Sequence, residues 1–476
     1  MPRSLPTALV VAAAVLPPCP AQDRAPDKSL PSADMAAVAA AYAAKVAASA
    51  IFVSGRTLES VLAEELAPTR PLEALIRPLL KFEVDRDAGT VTATLGASRS
   101  TAVCTRNLGC TLARPDVPIA TLRARGAPGL ANSEPDPAYV DWPLGNRLPD
   151  TPPPDIDRAA VERAVAAAFT EPAKGTPIHT RAVVVLHRGQ LVAERYAEGY
   201  HAAMPLPGWS MTKTLTHALI GVRVQQGSMH PGQPTENFDG NGVFSPVNSL
   251  DNLLRMTGNR AWNESYDDPA SDVLAMLFRS TDHSTVYTAK PLSRPRGERF
   301  LYSSGATNLA CRVLRASFDT ESRHLAFPRE HLFAPLGMRT AVMETDPSGT
   351  FVGSSYGFAS ARDWARLGLL YCDGGEFAGK RIVAKEWIDG AFVASPASDG
   401  KFGRHLWLDA DPDGDGPASR EWPELPSDLG YMSGHEGQYC VVIPSERLVV
   451  VRLGCTKNGG FPLRALLSGV LTALRP

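Results

Sequence analysis

The sequence predicts a mixed α/β protein in which one antiparallel sheet, flanked by helices, carries an inserted helical lobe. Two strand pairs support this prediction: RAVVVLHRGQLVAERYAEG (181–199), which turns at Gly189, and QYCVVIPSERLVVVRLG (438–454), which turns at 444–447. The segments between them, such as ARDWARLGLLYC, show mostly helical patterns. Strand pairs at both extremities indicate one sheet closed by the two ends of this region. A cleft between sheet and lobe is then the expected place for a site.

Composition excludes some classes of partner. The chain has 476 residues, 44% of them apolar, so a sizeable core is expected. Its 48 basic residues are balanced by 50 acidic ones, so the chain has no net positive charge that would attract nucleic acid or an anionic membrane. We therefore expect a small-molecule partner that is recognised locally.

The first 21 residues have the pattern of a secretory signal peptide. Arg3 precedes an apolar run, 8–16, and small residues follow at Cys19 and Ala21, after which we expect cleavage. The run is shorter than the ~20 apolar residues that a membrane span needs. A lipoprotein attached through Cys19 is the alternative. Either reading predicts a periplasmic or extracellular protein.

The region before residue 150 reads as a separate N-terminal extension. An alanine-rich helix is predicted over 33–49, and a hairpin over 82–95 with turn chemistry at 87–89. The proline-dense stretch LPDTPPPDID, 148–157, predicts a boundary between an extension, 22–150, and a catalytic domain, 151–476. A closing helix is predicted within 462–474.

Six cysteines remain once the signal is removed. An even number in an oxidising compartment permits disulfides. Only Cys104 and Cys110 bracket a tight local loop, and buried free thiols are the alternative.

The stretch GWSMTKTLTHALIG, 208–221, carries the first chemical motif. Apolar residues recur at helical spacing from Ser210 onward, so Lys213 lies on the same helical face as the serine, one turn further in. A serine hydroxyl becomes a nucleophile when a base takes its proton, and lysine serves once desolvation makes it neutral. Trp209 would help to exclude water. Ser210 and Lys213 therefore form a candidate nucleophile and base.

Two further stretches supply matching groups. In RFLYSSGATNLA, Tyr302 precedes another predicted helix and could exchange a proton with the serine and the leaving group. In SGHEGQYCVVI, a loop with Gly437 leads into a strand along whose edge a substrate can lie. The backbone N–H groups of Gln438 and Ser210 would then form an oxyanion hole.

These three stretches, in this order, resemble the serine β-lactamase and penicillin-binding-protein superfamily, within its class C-like branch that includes the 6-aminohexanoate-dimer hydrolases. The resemblance extends from Arg181 to the end of the chain. It implies that Ser210 is the acyl-accepting nucleophile, Lys213 its proton partner, and Tyr302 the general base and later acid. The sequence has no H-E-x-x-H, paired C-x-x-C or nucleotide-binding glycine motif, so neither a metal nor an organic cofactor is indicated.

Two departures from the family pattern bear on the substrate. Ser304 stands where the usual asparagine follows the tyrosine, and His435 where many β-lactamases have lysine. A hydroxyl and a neutral imidazole hold an anion less strongly than an amide and an ammonium, which favours a small amide or ester over a β-lactam. We expect substrate contacts from Trp209, Ser304, His435, Gly437 and Tyr266. Tyr266 lies in the segment NESYDDP, which either borders the pocket, with carboxylates that select a polar or cationic group, or is a solvated loop.

Several alternatives stay open on the sequence. The enzyme could instead be a β-lactamase or D-Ala-D-Ala peptidase, and a non-catalytic binding or sensor protein would keep the same fold. Ser355 in GSSYG is a rival nucleophile, although a polar, turn-rich stretch precedes it. The tract from Asp409 to Asp415 imitates an incomplete calcium loop, for which a solvated loop is preferred. His217, four residues after Lys213, reads as a structural histidine.

Overall fold

The computed structural model describes residues 33–68, 71–129, 135–149, 156–235, 248–258, 260–293, 297–411, 419–457 and 460–474. The predicted signal peptide and residues 150–155 of the proline-dense boundary lie outside these ranges. Fourteen helices occur in the described part of the chain: α1 Ala33–Phe52, α2 Leu58–Ala63, α3 Pro71–Ile76, α4 Ile119–Ala124, α5 Arg158–Ala167, α6 Thr212–Gln225, α7 Leu250–Leu254, α8 Asp272–Arg279, α9 His283–Thr288, α10 Ser304–Ala316, α11 Glu321–Pro328, α12 Ala361–Cys372, α13 Lys385–Asp389 and α14 Leu463–Leu474.

The N-terminal part folds as one helix on one sheet. Its sheet is antiparallel in the order β1-β2-β3-β4, with β1 Lys81–Asp85, β2 Thr90–Leu95, β3 Ser98–Thr105 and β4 Gly109–Leu112. The predicted helix is α1, and the predicted hairpin is the β1–β2 pair. We call α1–α4 with β1–β4 the N-terminal unit.

Helix α1 is buried along most of its length because alanines let the backbone approach the sheet closely. Ala43, Ala44, Ala47 and Ala48 are fully buried. By length and composition α1 could cross a membrane, but 67% of its most apolar window is buried inside the protein. Here it serves as the core helix of the N-terminal unit.

The main sheet has six antiparallel strands, in the order β12-β13-β14-β15-β5-β6. Their bounds are β5 Thr180–His187, β6 Gln190–Tyr196, β12 Trp407–Leu408, β13 Gly430–Gly434, β14 Gln438–Ile443 and β15 Leu448–Gly454. Pairing of β15 with β5 confirms that the two predicted hairpins close one sheet. The β5–β6 turn consists of Arg188 and Gly189, both with positive φ (51° and 77°), as two-residue hairpins require.

Alternating side chains cover both faces of the main sheet. Val183 and Val185 of β5 pack with α5 and α14, whereas Val184 and Leu186 pack in the opposite layer with Trp364 of α12. Helices α6–α11 form the inserted lobe. The remaining strands are short: β7 Leu206–Pro207, β8 Val342–Met343, β9 Gly357–Ala359, β10 Glu376–Phe377 and β11 Lys380–Arg381.

The N-terminal unit shares a core with the rest of the chain. Val38 and Ile51 of α1 belong to the same apolar cluster as Phe278 of α8 and Trp209. Lys45, also on α1, is buried and forms an ion pair with the buried Glu344. The unit is therefore integrated into the fold directly behind the segment that carries Ser210.

The described cysteines are free thiols. Cys104 and Cys110 face each other across β3 and β4, as the sequence suggested by their spacing. Cys110 is completely buried, and burial raises the pKa of its thiol.

Candidate active site

Ser210 lies in a tight 3₁₀ turn, Trp209–Met211, immediately before α6. The sequence predicted that the serine itself opens the helix, whereas α6 begins two residues later. Trp209 has a φ of 48°, a left-handed conformation that costs energy in a bulky residue and is typical of functional sites. A Cβ atom at Gly208 would lie 2.2 Å from the ring of Trp364, so glycine is required there. The turn fixes the serine at the mouth of a cleft.

Lys213, in the first turn of α6, is 2% exposed and contacts three oxygen atoms. Its Nζ lies 3.0 Å from Ser210 Oγ, 3.0 Å from Ser304 Oγ and 3.0 Å from the carbonyl oxygen of Ser354. Burial lowers the pKa of Lys213 to about 8, while the negative charge of Glu264 acts in the opposite direction. A sizeable fraction of this amine is therefore neutral near physiological pH and able to accept a proton.

Tyr302 occupies the other side of Ser210, two residues before α10. Its ring stacks on Trp407 with centroids 5.2 Å apart and 28° between planes. Lys213 Nζ lies 4.7 Å from the centre of the Tyr302 ring. Burial raises the pKa of Tyr302 well above its usual value, against the opposing effect of a hydrogen bond with Ser210. The phenol is thus protonated and in contact with the serine.

Glu264 is a further member of the site. Its carboxylate accepts hydrogen bonds from both the backbone N–H of Ser304, at 2.8 Å, and the Ser304 hydroxyl. The indole of Trp262 also donates to it. Ser304 therefore links the Lys213 ammonium to a carboxylate one hydrogen bond further away. The sequence left this segment, NESYDDP, either as a border of the pocket or as a solvated loop; Glu264 lines the cleft, and its bonds to Ser304 were not predicted.

Ser210 and Tyr302 open onto a cleft of about 620 Å³. The opposite wall is the end of β13 with the turn that follows it, including His435 and Gly437. The rings of Tyr266 and His435 also line it, stacked with centroids 4.3 Å apart and 17° between planes. The structure thus brings together residues from all three motifs that the sequence singled out.

Two residues expected to contact substrate lie behind the surface of this cleft. Ser304 is 0% exposed and holds Lys213. Trp209 is buried and meets Tyr266 and His435 edge-on, with centroids 6.0 and 5.3 Å away. Both support residues that face the substrate space.

The turn after β13 is anchored by buried charge. Glu436 has a φ of 62°, and its carboxylate forms an ion pair with Lys457. Burial raises the pKa of Glu436, but the charges of Lys457 and His435 hold it below its usual value. Lys457 also donates to the backbone carbonyl of Glu65 in the N-terminal unit, at 2.8 Å. This lysine therefore connects the turn to the N-terminal unit.

Gln438, predicted to supply an oxyanion N–H, is the first residue of β14 and pairs with Gly434. Its side-chain amide donates to the carbonyl of Gly454 at 2.6 Å and accepts from the Gly454 N–H at 3.0 Å. The side chain is thus held against β15, and Gln438 lies between Gly437 and Tyr439, which both line the cleft.

Ser355 and His217, which the sequence did not favour as catalytic residues, are both hydrogen-bonded to neighbouring hydroxyl groups. Ser355 is buried, within 2.9 Å of the hydroxyl of Ser354. His217 Nδ1 lies 2.7 Å from the Tyr371 hydroxyl, away from the cleft.

The aspartate tract that resembles an incomplete calcium loop is held by a structural contact at its start. Asp409 pairs with Arg420, the residue that replaces the closing glutamate of a calcium loop, at 3.1 Å; residues 412–418 lie outside the described ranges. Within the described chain, no group of three His, Cys, Asp or Glu side chains is arranged to hold a metal ion.

Comparison with known proteins identifies the family to which this chain is similar. The family model for Beta-lactamase matches residues 165–466. A 6-aminohexanoate-dimer hydrolase of Paenarthrobacter ureafaciens is 27% identical over 293 residues, which cover 58% of this chain and 72% of that relative.

Solved structures show the same fold at low identity. A Bacillus anthracis protein assigned as a 6-aminohexanoate-dimer hydrolase superposes with a TM-score of 0.53 at 20% identity, covering 71% of this chain and 88% of that one. EstCE1, a hydrolase with promiscuous acyltransferase activity, gives a TM-score of 0.53 at 14% identity, covering 66% and 99%. With the family model covering most of the chain, this protein belongs to the β-lactamase family and is a serine hydrolase of that fold.

Proposed function

We propose that the protein hydrolyses a small amide or ester through an acyl-enzyme formed on Ser210. The observation that carries this proposal is the 3.0 Å contact between Lys213 Nζ and Ser210 Oγ, with the Tyr302 hydroxyl in contact with the same serine. A nucleophile within hydrogen-bond reach of a base, which is oriented in turn by other groups, is the arrangement that covalent catalysis needs.

In the first half-reaction, neutral Lys213 accepts the hydroxyl proton while Ser210 Oγ bonds to the substrate carbonyl carbon. Protonated Tyr302 then donates its proton to the leaving nitrogen or oxygen as the old bond breaks. Lys213 returns its proton to Tyr302, so the site is neutral overall again. In the second half-reaction a water attacks the ester, its proton is taken up by the same groups, and Ser210 leaves as the free hydroxyl.

This assignment makes Lys213 the base and Tyr302 the acid in acylation. It differs from the family-based expectation that Tyr302 is the base. The supporting observation is that burial moves the two pKa values in opposite senses, favouring the neutral amine and the protonated phenol. Pairs of groups whose environments favour complementary protonation states commonly divide the roles of base and acid.

The developing oxyanion needs two backbone donors. We propose the backbone N–H of Ser210 as the first donor and, as the sequence predicted, the backbone N–H of Gln438 as the second. Residues 433–437 and Tyr439, on both sides of Gln438, line the cleft beside Ser210, so we propose that this turn positions the substrate carbonyl oxygen for the second donor.

The charge of the cleft favours an uncharged or cationic substrate over an anionic one. Its lining includes the acidic residues Glu264 and Asp267, besides Glu436, whose charge is balanced by Lys457; among the described lining residues none is lysine or arginine. A β-lactam carries a carboxylate, which would meet these like charges. An amide or ester without a carboxylate avoids that repulsion.

We also propose that the protein is exported and that the catalytic domain spans 151–476, with 22–150 as its extension. The first 21 residues support export through their basic start, apolar run and small residues before the cleavage point. The proline-dense stretch supports the division of the chain.

A fluorophosphonate probe tests the nucleophile. The native protein should be labelled, Ser210→Ala should lose the label, and Ser355→Ala should keep it. Labelling that survives in Ser210→Ala would show a different nucleophile, and an unlabelled native protein would indicate a binding or sensor protein. Turnover of nitrocefin compared with short p-nitrophenyl esters separates the substrate classes, and rapid nitrocefin hydrolysis would point to a β-lactamase.

A further inference from the structure

A second cavity, of about 210 Å³, adjoins the catalytic cleft. The two cavities share the stacked rings of Tyr266 and His435, which form the lip between them. Beyond the lip, the second cavity is lined mainly by apolar side chains, and Met35, Val38 and Ile76 come from the N-terminal unit. The predicted extension therefore forms one wall of a space beside the nucleophile.

Buried contacts hold this wall in place. The Lys45 ion pair with Glu344 fixes α1 against the catalytic part of the chain. Arg181 of β5 donates to carboxylates of Glu64 and Glu65, at 2.8 and 2.6 Å. Such contacts leave the wall preformed, which lowers the entropy cost of binding a ligand against it.

The proposed function indicates which part of a substrate reaches this cavity. Tyr302 delivers a proton to the leaving group, so the leaving group lies on the side of Tyr302 and its stacking partner Trp407. The acyl group then extends away from Tyr302, across the lip formed by Tyr266 and His435.

Resting on that function, we propose that the second cavity is an acyl pocket, which receives an uncharged aliphatic or aryl chain on the acyl side of the substrate. The N-terminal unit is thereby a determinant of substrate specificity. The pocket is smaller than the ~300–1,000 Å³ of a site for a drug-sized ligand, so it suits a single chain or ring. Its lining also holds four charged residues: Glu436 and Lys457, which neutralise each other, and the carboxylates Glu73 and Asp267.

A chain-length series tests the proposal on the full-length protein. The native enzyme should hydrolyse p-nitrophenyl octanoate with a kcat/KM at least ~10-fold above that for p-nitrophenyl acetate, since each buried methylene contributes about fourfold. Ala39 lines the acyl pocket from α1. Ala39→Phe should fill the pocket and lower the octanoate-to-acetate ratio of kcat/KM by ~10-fold or more.

Ala37→Phe is the matched control, since this alanine lies on another face of α1 and outside the described residues that line the pocket. It should keep the native ratio. A second variant, Ile76→Glu, places a carboxylate in the same space from α3 and should also lower the ratio.

Each result bears on one proposal or the other. A native enzyme without Ser210-dependent ester hydrolysis contradicts the proposed function. Ser210-dependent hydrolysis with no preference for octanoate contradicts the acyl pocket alone, as does an unchanged ratio in both pocket variants. Equal losses on both esters in the two variants also contradict it, because the residues would then act on the fold. Faster turnover of the 6-aminohexanoyl than of the hexanoyl p-nitrophenyl ester would show that the pocket selects a cation.

Discussion

Replacing Glu264 with glutamine removes the negative charge behind Lys213 and keeps the shape of the site. Glutamine retains one carbonyl oxygen, which can accept from the Ser304 hydroxyl, but its amide NH2 cannot accept from the N–H groups of Ser304 and Trp262 as the second carboxylate oxygen does. The carboxylate favours the charged form of Lys213, as the direction of its effect on the lysine pKa shows. We therefore expect Glu264→Gln to lower the pKa of Lys213. Glu264 acts through its neighbours and is a positioning residue.

The size of the shift follows from the distance. Two hydrogen bonds in series place the carboxylate ~5 Å from the ammonium. At an effective dielectric constant of ~20 this corresponds to ~3 kcal/mol, or at most ~2 pKa units. Because the carboxylate also interacts with Trp262, we expect a shift of ~1–2 units downward from about 8.

The assay is the pH dependence of kcat/KM for p-nitrophenyl acetate, from about pH 5 to about pH 10. Neutral Lys213 is the active form, so kcat/KM should rise with pH and level off above a midpoint near 8 in the native enzyme. In Glu264→Gln the midpoint should move to lower pH. Glu424→Gln, which removes an exposed carboxylate paired with Arg464, is the charge-matched control and should leave the midpoint in place. A midpoint that stays or rises in Glu264→Gln would refute the role of Lys213 as the titrating base.

Other variants test the remaining assignments. Lys213→Ala and Tyr302→Phe should each lower kcat by at least ~100-fold, the usual effect of removing a general base or acid, and near-native rates in steady-state assays would remove that residue from the mechanism. His435→Ala should raise KM more than it lowers kcat because the ring lines the cleft where substrate lies; a loss confined to kcat would argue for a chemical role. Lys45→Met should lower the free energy of unfolding by ~3–5 kcal/mol in urea titrations, since it leaves a buried carboxylate unpaired. Arg99→Met, which breaks an exposed pair, should cost under ~1 kcal/mol, and equal losses in the two variants would contradict the burial argument.

Much of the fold followed from local patterns. The strands of both hairpins, helix α1 and helix α14 were predicted because alternation, turn residues and alanine content act over a few residues. The meeting of Ser210, Lys213 and Tyr302 was predicted from their motifs and order. Their distances and the lowered pKa of the lysine needed the structure, since burial depends on residues far away in the chain.

The parts that were not predicted depend on long-range packing. Glu264 lies in a polar loop without periodicity, and its contact with Ser304 joins segments 40 residues apart. The position of α1 beside the cleft joins residues such as Lys45 and Glu344, which are 299 positions apart. No local pattern encodes such a contact, so the sequence predicted no functional role for the N-terminal extension.

The pairing of β5 with β15 has a consequence for when activity arises. During synthesis, the serine-bearing turn and its lysine emerge long before the strand that completes the sheet, and Lys457, which secures the turn opposite Ser210, follows that strand. A partly made chain therefore has the nucleophile without the opposing wall. Under the proposed mechanism, acyl transfer begins only once the last strand and Lys457 have folded into place.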